Sequence, residues 1–297
     1  MSKKSNLLLL HFIVFIFGFT GILGELITLP SELLVFYRCM IAFIALVMFG
    51  FTTKKLKRFP LKMTLTMMGV GVVTATHWSF FFAAIKVSTI SVGVAIMAST
   101  ALWVALFEPL VVGRRVDWRE LVLGTLVMLG LGIIFSVEIE YKLGIILAVI
   151  SAMLAAVFSV LNSRLIKKVD SVNISTYEML SASAVLFLYT WINGDIHQEI
   201  TQANLCYLIL LGVVATAFAF VVSVEVMKEL SPFTVGLSFN LEPIYTIVLA
   251  LLIFGDQERM NRGFYIGTAI LILAIFLDTF MRRHQRKKAQ KNNSPAT

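Results

Sequence analysis

The sequence predicts an all-α polytopic membrane protein: ten transmembrane helices arranged as two inverted-topology five-helix repeats. Three observations carry this. First, 59% of the 297 residues are hydrophobic and only 14% are charged, with a mean hydropathy of +0.90, whereas a soluble domain carries about 25% charged residues. Second, the apolar residues fall into blocks long enough to cross a hydrocarbon core of about 30 Å. Third, the second half of the chain resembles the first at a near-constant offset.

The predicted spans are roughly 7–25, 32–52, 63–85, 89–112, 119–137, 143–164, 173–193, 204–227, 232–254 and 263–281. The first follows only Met-Ser-Lys-Lys-Ser-Asn, with no clean small-residue cleavage site after it, and reads as a retained helix rather than a signal peptide. The second carries Tyr37, Arg38 and Cys39, and the third carries His77, Trp78 and the run Phe80-Phe81-Phe82. The fourth places Glu108 near its end, and the fifth holds Gly124-Thr125. In the second half, the seventh span carries Tyr177 and Glu178, the eighth Cys206 and Glu225, and the ninth Asn240, Glu242 and Pro243. The tenth opens with Gly263-Phe264-Tyr265-Ile266-Gly267, a GxxxG pattern that permits close helix approach, within the chain or against a second protomer.

Lysine and arginine positions set the expected orientation. With the N-terminus in the cytoplasm, twenty Lys and Arg residues fall inside, from Lys3 and Lys4 to the tail Arg282–Lys291. Four fall outside: Lys86, Lys142, Arg259 and Arg262. Both termini are then cytoplasmic, and the tail 282–297 is expected to serve as a topology anchor with local attraction to lipid headgroups. This distribution explains the net charge of +8 without nucleic acid as a partner.

The repeat sits at an offset near 143. Val92-Gly93 matches Val235-Gly236, Leu123-Gly124-Thr125 matches Ile266-Gly267-Thr268, and Tyr37-Arg38 answers Tyr177-Glu178 at an offset of 140. Five is an odd number of spans, so the second copy enters the membrane from the opposite side. Residues 1–137 and 143–281 are the two expected repeats. Inverted repeats of this kind are a signature of secondary transporters, with the substrate site near the midplane between the halves.

Ten spans, two five-span halves and the half-ending pattern of Gly113-Arg114 with Gly124-Thr125, then Gly255-Asp256 with Gly267-Thr268, resemble the drug/metabolite transporter superfamily. The resemblance is to its EamA-domain family of ten-helix permeases, and it covers essentially the whole chain. Arg114 departs from the acidic residue that often follows the half-ending glycine. The resemblance implies a secondary transporter, an exporter of amino acids, related metabolites or drug-like small molecules. It also implies a bacterial cytoplasmic membrane, with a small-molecule substrate and the lipid bilayer as partners. A flippase or efflux protein for lipidic or cationic amphiphiles is the alternative.

Ionisable groups at bilayer depth cost about 2.5–3.5 kcal/mol on insertion scales and are functional candidates by default. Glu242, in Phe239-Asn240-Leu241-Glu242-Pro243, is expected near the centre of its span, where it can bind an amine or exchange a proton. Asn240 is a weaker candidate two residues away. His77 titrates near physiological pH, and Trp78 can stack on a cationic or aromatic substrate. Arg38 and Glu178 occupy matching places in the two repeats and read as polar gate or cavity groups; a salt bridge between them is not implied. Tyr37 and Tyr177 beside them read equally as hydrogen-bonding cavity residues or interface aromatics. His11 is a weak relay candidate. No HExxH, P-loop, GxSxG or clustered Cys/His pattern occurs, so no enzyme activity, catalytic residue, metal or cofactor is expected. Coupling to a proton and assembly as a homodimer are both left open.

Overall fold

The computed structural model describes residues 3–112, 118–228, 238–239 and 241–292. Helices α1 (Lys3–Leu26), α2 (Ser31–Thr52) and α3 (Leu61–Lys86) open the chain, followed by α4 (Ile90–Met97), α5 (Thr100–Val112) and α6 (Trp118–Val137). The second half contains α7 (Lys142–Leu165), α8 (Ser171–Asn193), α9 (Gln202–Ile209) and α10 (Ala219–Val226), the last two joined by a π-helical segment over Leu210–Phe218. It closes with α11 (Glu242–Phe254) and α12 (Arg262–Asn292). No strand occurs among the described residues.

Local chemistry sets the helix ends. Pro30 and Pro60 immediately precede α2 and α3, where their fixed φ and missing donor cost nothing. Thr89, Asp170 and Thr201 cap α4, α8 and α9, each accepting a bond from the backbone N–H three residues on. Gly194, at φ +79°, ends α8 in the left-handed conformation.

Six described segments are long and apolar enough to cross a membrane: Leu8–Leu26, Ser31–Thr52, Leu61–Lys86, Ile90–Val111, Ile139–Leu165 and Gln202–Val226. Val122–Ser136 and Arg262–Ala274 are shorter apolar helices. Helix α8 forms over the predicted seventh span but is too polar to join the six, because its buried face carries Ser171, Asn173, Ser175, Thr176, Glu178, Ser181 and Ser183. Small polar side chains suit an interface where helices touch closely. Large apolar side chains such as Leu8, Phe51, Leu110, Leu252 and Phe280 stand on the outside of the bundle, where only lipid gives them a favourable surrounding.

Two expected spans are interrupted. The fourth breaks at Ala98 and Ser99, between α4 and α5. In the ninth, α11 starts at Glu242 with Leu241 as its N-cap. Pro243 suits this start, because proline is tolerated in a first helical turn and not in a helix interior. At the offset of 143 between the halves, Ser99 is the counterpart of Glu242.

Packing pairs the halves. Helix α2 packs on α8, and α6 on α12. Helix α3 packs on α7 and α8, and its counterpart, the 202–226 segment, packs on α1 and α2. Helices α4 and α5 lie against α7, as α11 lies against α1. Glycines permit these crossings. A Cβ on Gly71 would lie 2.6 Å from the Glu178 Cα, and one on Gly212 would lie 3.1 Å from the Arg38 carbonyl oxygen. Gly267 meets Gly130 within the chain, where a Cβ on either would lie 2.8–3.0 Å from the other's carbonyl oxygen. That half of the GxxxG pattern is therefore an intrachain contact.

Candidate functional site

Arg38 organises the most unusual polar cluster. It is 1% exposed and the largest fully buried side chain among the described residues. Its Nε donates to Thr216 Oγ1 at 2.6 Å, and Nη2 reaches the Ala215 carbonyl at 3.5 Å. Both acceptors lie in the π-helical segment, and Thr216 Oγ1 also donates to the Leu211 carbonyl at 2.8 Å. Such segments widen the helix locally and occur frequently at functional sites. The guanidinium lies over the Trp78 ring, 3.9 Å from its centroid, with Phe82 at 5.7 Å. A stacked, weakly hydrated guanidinium suits this desolvated position better than an ammonium would. Nη1 has no partner among the described residues, and the Glu242 carboxylate, at the start of α11, lies within electrostatic reach of the guanidinium.

His77 faces the other way, toward α7. Its Nδ1 lies 2.8 Å from Ser151 Oγ and 2.9 Å from the Ser151 carbonyl oxygen, while Ser151 Oγ donates to the His77 carbonyl at 2.9 Å. With the serine proton committed to that carbonyl, Nδ1 is the donor. Phe158 packs on the imidazole at 5.3 Å, and Phe220 joins Phe158 and Trp78 in the same aromatic group.

Glu178 is fully buried on α8. Asn162 Nδ2, on α7, reaches its Oε2 at 3.4 Å, and its Oε1 has no partner. The structure therefore does not join Arg38 to Glu178. Tyr37 packs on Phe36 at 4.9 Å. Tyr177 packs on Phe59 and donates to the Lys57 carbonyl at 3.2 Å. Neither tyrosine touches the Arg38 cluster. Asn240 lies outside the described residues. Of the sequence candidates, the fold thus brings Arg38 onto Trp78 with Glu242 within electrostatic reach, places His77 beside them through the shared aromatic rings, and sets Glu178 apart. Thr216, Ser151, Asn162 and Phe220 escaped the sequence reading. Asn162, an amide within an apolar block, carried the clearest signal of the four.

Both ends of the bundle are tied. At one end, the Glu258 carboxylate accepts from the Ile90 and Ser91 backbone N–H groups at 2.9 and 2.8 Å, closing the N-terminus of α4. Lys86 donates to the Ile27 carbonyl at 2.8 Å, Thr28 and Asn204 exchange two bonds, and Glu138 accepts from the Asn261 N–H. At the other end, Asn173 bridges to the backbone of Lys55 and Lys57, Ser171 donates to Glu225, and Arg164 donates to the Val111 carbonyl. Among the described residues, no group of three or more His, Cys, Asp or Glu side chains is placed to hold a metal.

A helical bundle with apolar spans, an apolar exterior and buried polar groups between its helices is a multi-pass membrane protein. More particularly, the EamA-like transporter family model matches residues 4–136 and again 142–280, and the chain belongs to that family. Its relatives include the uncharacterized transporter YxxF of Bacillus subtilis, 21% identical over 289 residues, covering 95% of this chain and 92% of that one. An uncharacterized transporter of Archaeoglobus fulgidus is 24% identical over 295 residues, covering 96% of this chain and 100% of its own. A solved crystal structure at 17% identity superposes with a TM-score of 0.70 over 94% of this chain and 99% of that one, which establishes the likeness of fold.

Proposed function

We propose that this EamA-family transporter is a secondary exporter of amino acids, related metabolites or drug-like small molecules. It works by alternating access between two inverted five-helix halves, 1–137 and 143–281, in a bacterial cytoplasmic membrane with both termini inside. The observation that carries the reading is the Arg38–Trp78–Glu242 cluster. It offers a cationic group with a free Nη1, an aromatic face and a carboxylate at the start of an interrupted helix. Interrupted segments at corresponding places in two halves mark binding sites in transporters of this build, and the α4–α5 break at Ser99 is the counterpart of Glu242.

The repeat reading is supported by the helix pairings, which keep their pattern when the halves are exchanged, and by Gly71 and Gly212. These two glycines stand at equivalent crossings beneath Glu178 and Arg38. Ten spans are supported by the tied ends: connections 27–30, 86–90, 138–141, 194–204 and 255–261 share one end. Connections 53–60, around 165–171 and after 226 share the other. A substrate or proton gradient supplies the driving force, because a site binding equally from both faces moves nothing net. A lipidic or cationic amphiphile as substrate is favoured by one feature, the rings of Trp78 and Phe82 at Arg38, with Phe220 and Phe158 packed beyond Trp78.

The test is efflux from proteoliposomes loaded with amino acids and cationic metabolites, followed by mass spectrometry. Selective loss from wild-type vesicles, reduced by Glu242→Gln, is expected. Loss no greater than from empty vesicles overturns the proposal. Competition by lipophilic cations and not by zwitterionic amino acids moves the substrate to the amphiphile class.

A further inference from the structure

Asn162 on α7 and Glu178 on α8, two helices that both pack on α3, meet through their side chains with an incomplete set of hydrogen bonds. Asn162 Nδ2 donates to Glu178 Oε2 at 3.4 Å. The two atoms left without partners on these side chains are Asn162 Oδ1 and Glu178 Oε1. A carboxylate and an amide oxygen both only accept, so a deprotonated Glu178 leaves two buried acceptors with no donor, a costly arrangement for groups that are 1% and 0% exposed. Among the described residues, no hydrogen-bond donor reaches these two oxygens. Ser175, one turn earlier on α8, is itself unpartnered and reaches neither oxygen. Ser181 Oγ is committed to the Met68 and Glu178 carbonyls.

Several charged and titratable groups on the elements around Glu178 have partners elsewhere, and Cys39 on α2 is a buried free thiol. Arg38 on α2 meets Thr216 and Trp78, and His77 on α3 meets Ser151. Arg164 on α7 meets the Val111 carbonyl, and Glu225 on α10 meets Ser171 and Lys228. Asp195 and His197 lie in the turn beyond the far end of α8, and Tyr177 and Asp170 bond to backbone near its start. Among the described residues, Asn162 is the one side chain that hydrogen-bonds the Glu178 carboxylate.

We propose that Asn162 and Glu178 form a proton-carrying site, in which Glu178 is a neutral carboxylic acid at neutral pH in this conformation and exchanges its proton when the two side chains part. One proton on Oε1 gives the pair the donor it lacks, and the acid and amide then match donor for acceptor. When Asn162 withdraws, the O–H bond at Oε1 breaks and its proton passes to entering water, leaving a carboxylate. Return of the pair requires a proton taken from water. The use made of this proton, exchange against exported solute, rests on the transporter reading; the protonation itself does not.

Infrared difference spectroscopy of the purified protein in nanodiscs at neutral pH, wild type against Glu178→Gln, tests the assignment. A protonated-carboxyl C=O stretch, shifted in D2O, present in wild type and lost in the variant, is expected; Asn162→Ala should shift or abolish the same band. Absence of the band in wild type, or its survival in Glu178→Gln, overturns the proposal. Glutamine carries a donor where the acid does, so failure of that variant to fold as wild type also counts against it. Transport is then read separately in liposomes. An inward proton gradient should accelerate wild-type efflux and leave Glu178→Gln efflux unchanged, and an equal response in both overturns the coupling. A missing band with normal efflux refutes the proton site alone, whereas a clear band with no efflux refutes the transporter reading alone.

Discussion

Removing the Glu258 carboxylate should loosen the end of the bundle more than its position in a connecting segment suggests. Glu258 is 5% exposed, and its two oxygens accept from Ile90 and Ser91, which are fully buried at the N-terminus of α4. Bonds to a charged acceptor contribute about 1.5–3 kcal/mol each, and a carboxylate at a helix N-terminus adds favourable interaction with the helix dipole. Glu258→Ala leaves two N–H groups without their acceptor, and water entering from the adjoining loop recovers part of the loss. The expected cost is about 3 kcal/mol, roughly a hundredfold in the folding equilibrium. Glu258→Gln keeps one acceptor oxygen and should cost about half as much. Reversible unfolding of the purified protein in mixed micelles measures both. An alanine variant within about 0.5 kcal/mol of wild type, the usual range for surface substitutions, refutes the tie. So does a glutamine variant as destabilised as the alanine one.

Three further outcomes follow from the packing. Gly71→Ala should destabilise the protein by about 1–3 kcal/mol, a typical cost of overpacking, because the added methyl meets the α8 backbone at Glu178; micelle unfolding reads this, and a neutral result contradicts the crossing. Ser151→Ala should cost about 1–3 kcal/mol, since it removes the hydroxyl between the His77 ring and the His77 carbonyl, and Ser151→Thr should cost less. Arg38→Lys should lower efflux nearly as far as Arg38→Met does, because an ammonium cannot both reach Thr216 and stack on Trp78; efflux at the wild-type rate in the lysine variant contradicts a role for the guanidinium plane.

The sequence made the helices and the unusual residues legible for the same reason. In apolar blocks, a charge such as Arg38 or Glu178 stands out, and burial at 1% and 0% exposure is what such placement costs a chain that retains it. Their partners were not legible. Thr216 reaches Arg38 because its helix is π-wound over Leu210–Phe218, and nothing in LLGVVATAF announces that winding. Ser151 is one small residue among many in α7, and only the α3–α7 crossing makes it a ligand of His77. Glu258 falls between two predicted spans, and its capping of a helix so distant in sequence is a purely tertiary event. Glu242 was a partial case: Pro243 was visible beside it, and it stands in the first turn of α11. The break at Ala98 and Ser99 has neither glycine nor proline to mark it.

The most direct measurement of the central claim makes Trp78 the reporter. The chain has four tryptophans; replacing Trp103, Trp118 and Trp191 with phenylalanine leaves the one stacked under Arg38. Titrating this protein with the solute that leaves wild-type proteoliposomes should change its fluorescence saturably, with weaker binding in Arg38→Gln and Glu242→Gln. A transported solute that leaves Trp78 fluorescence unchanged at every concentration would place the binding site elsewhere and contradict the account.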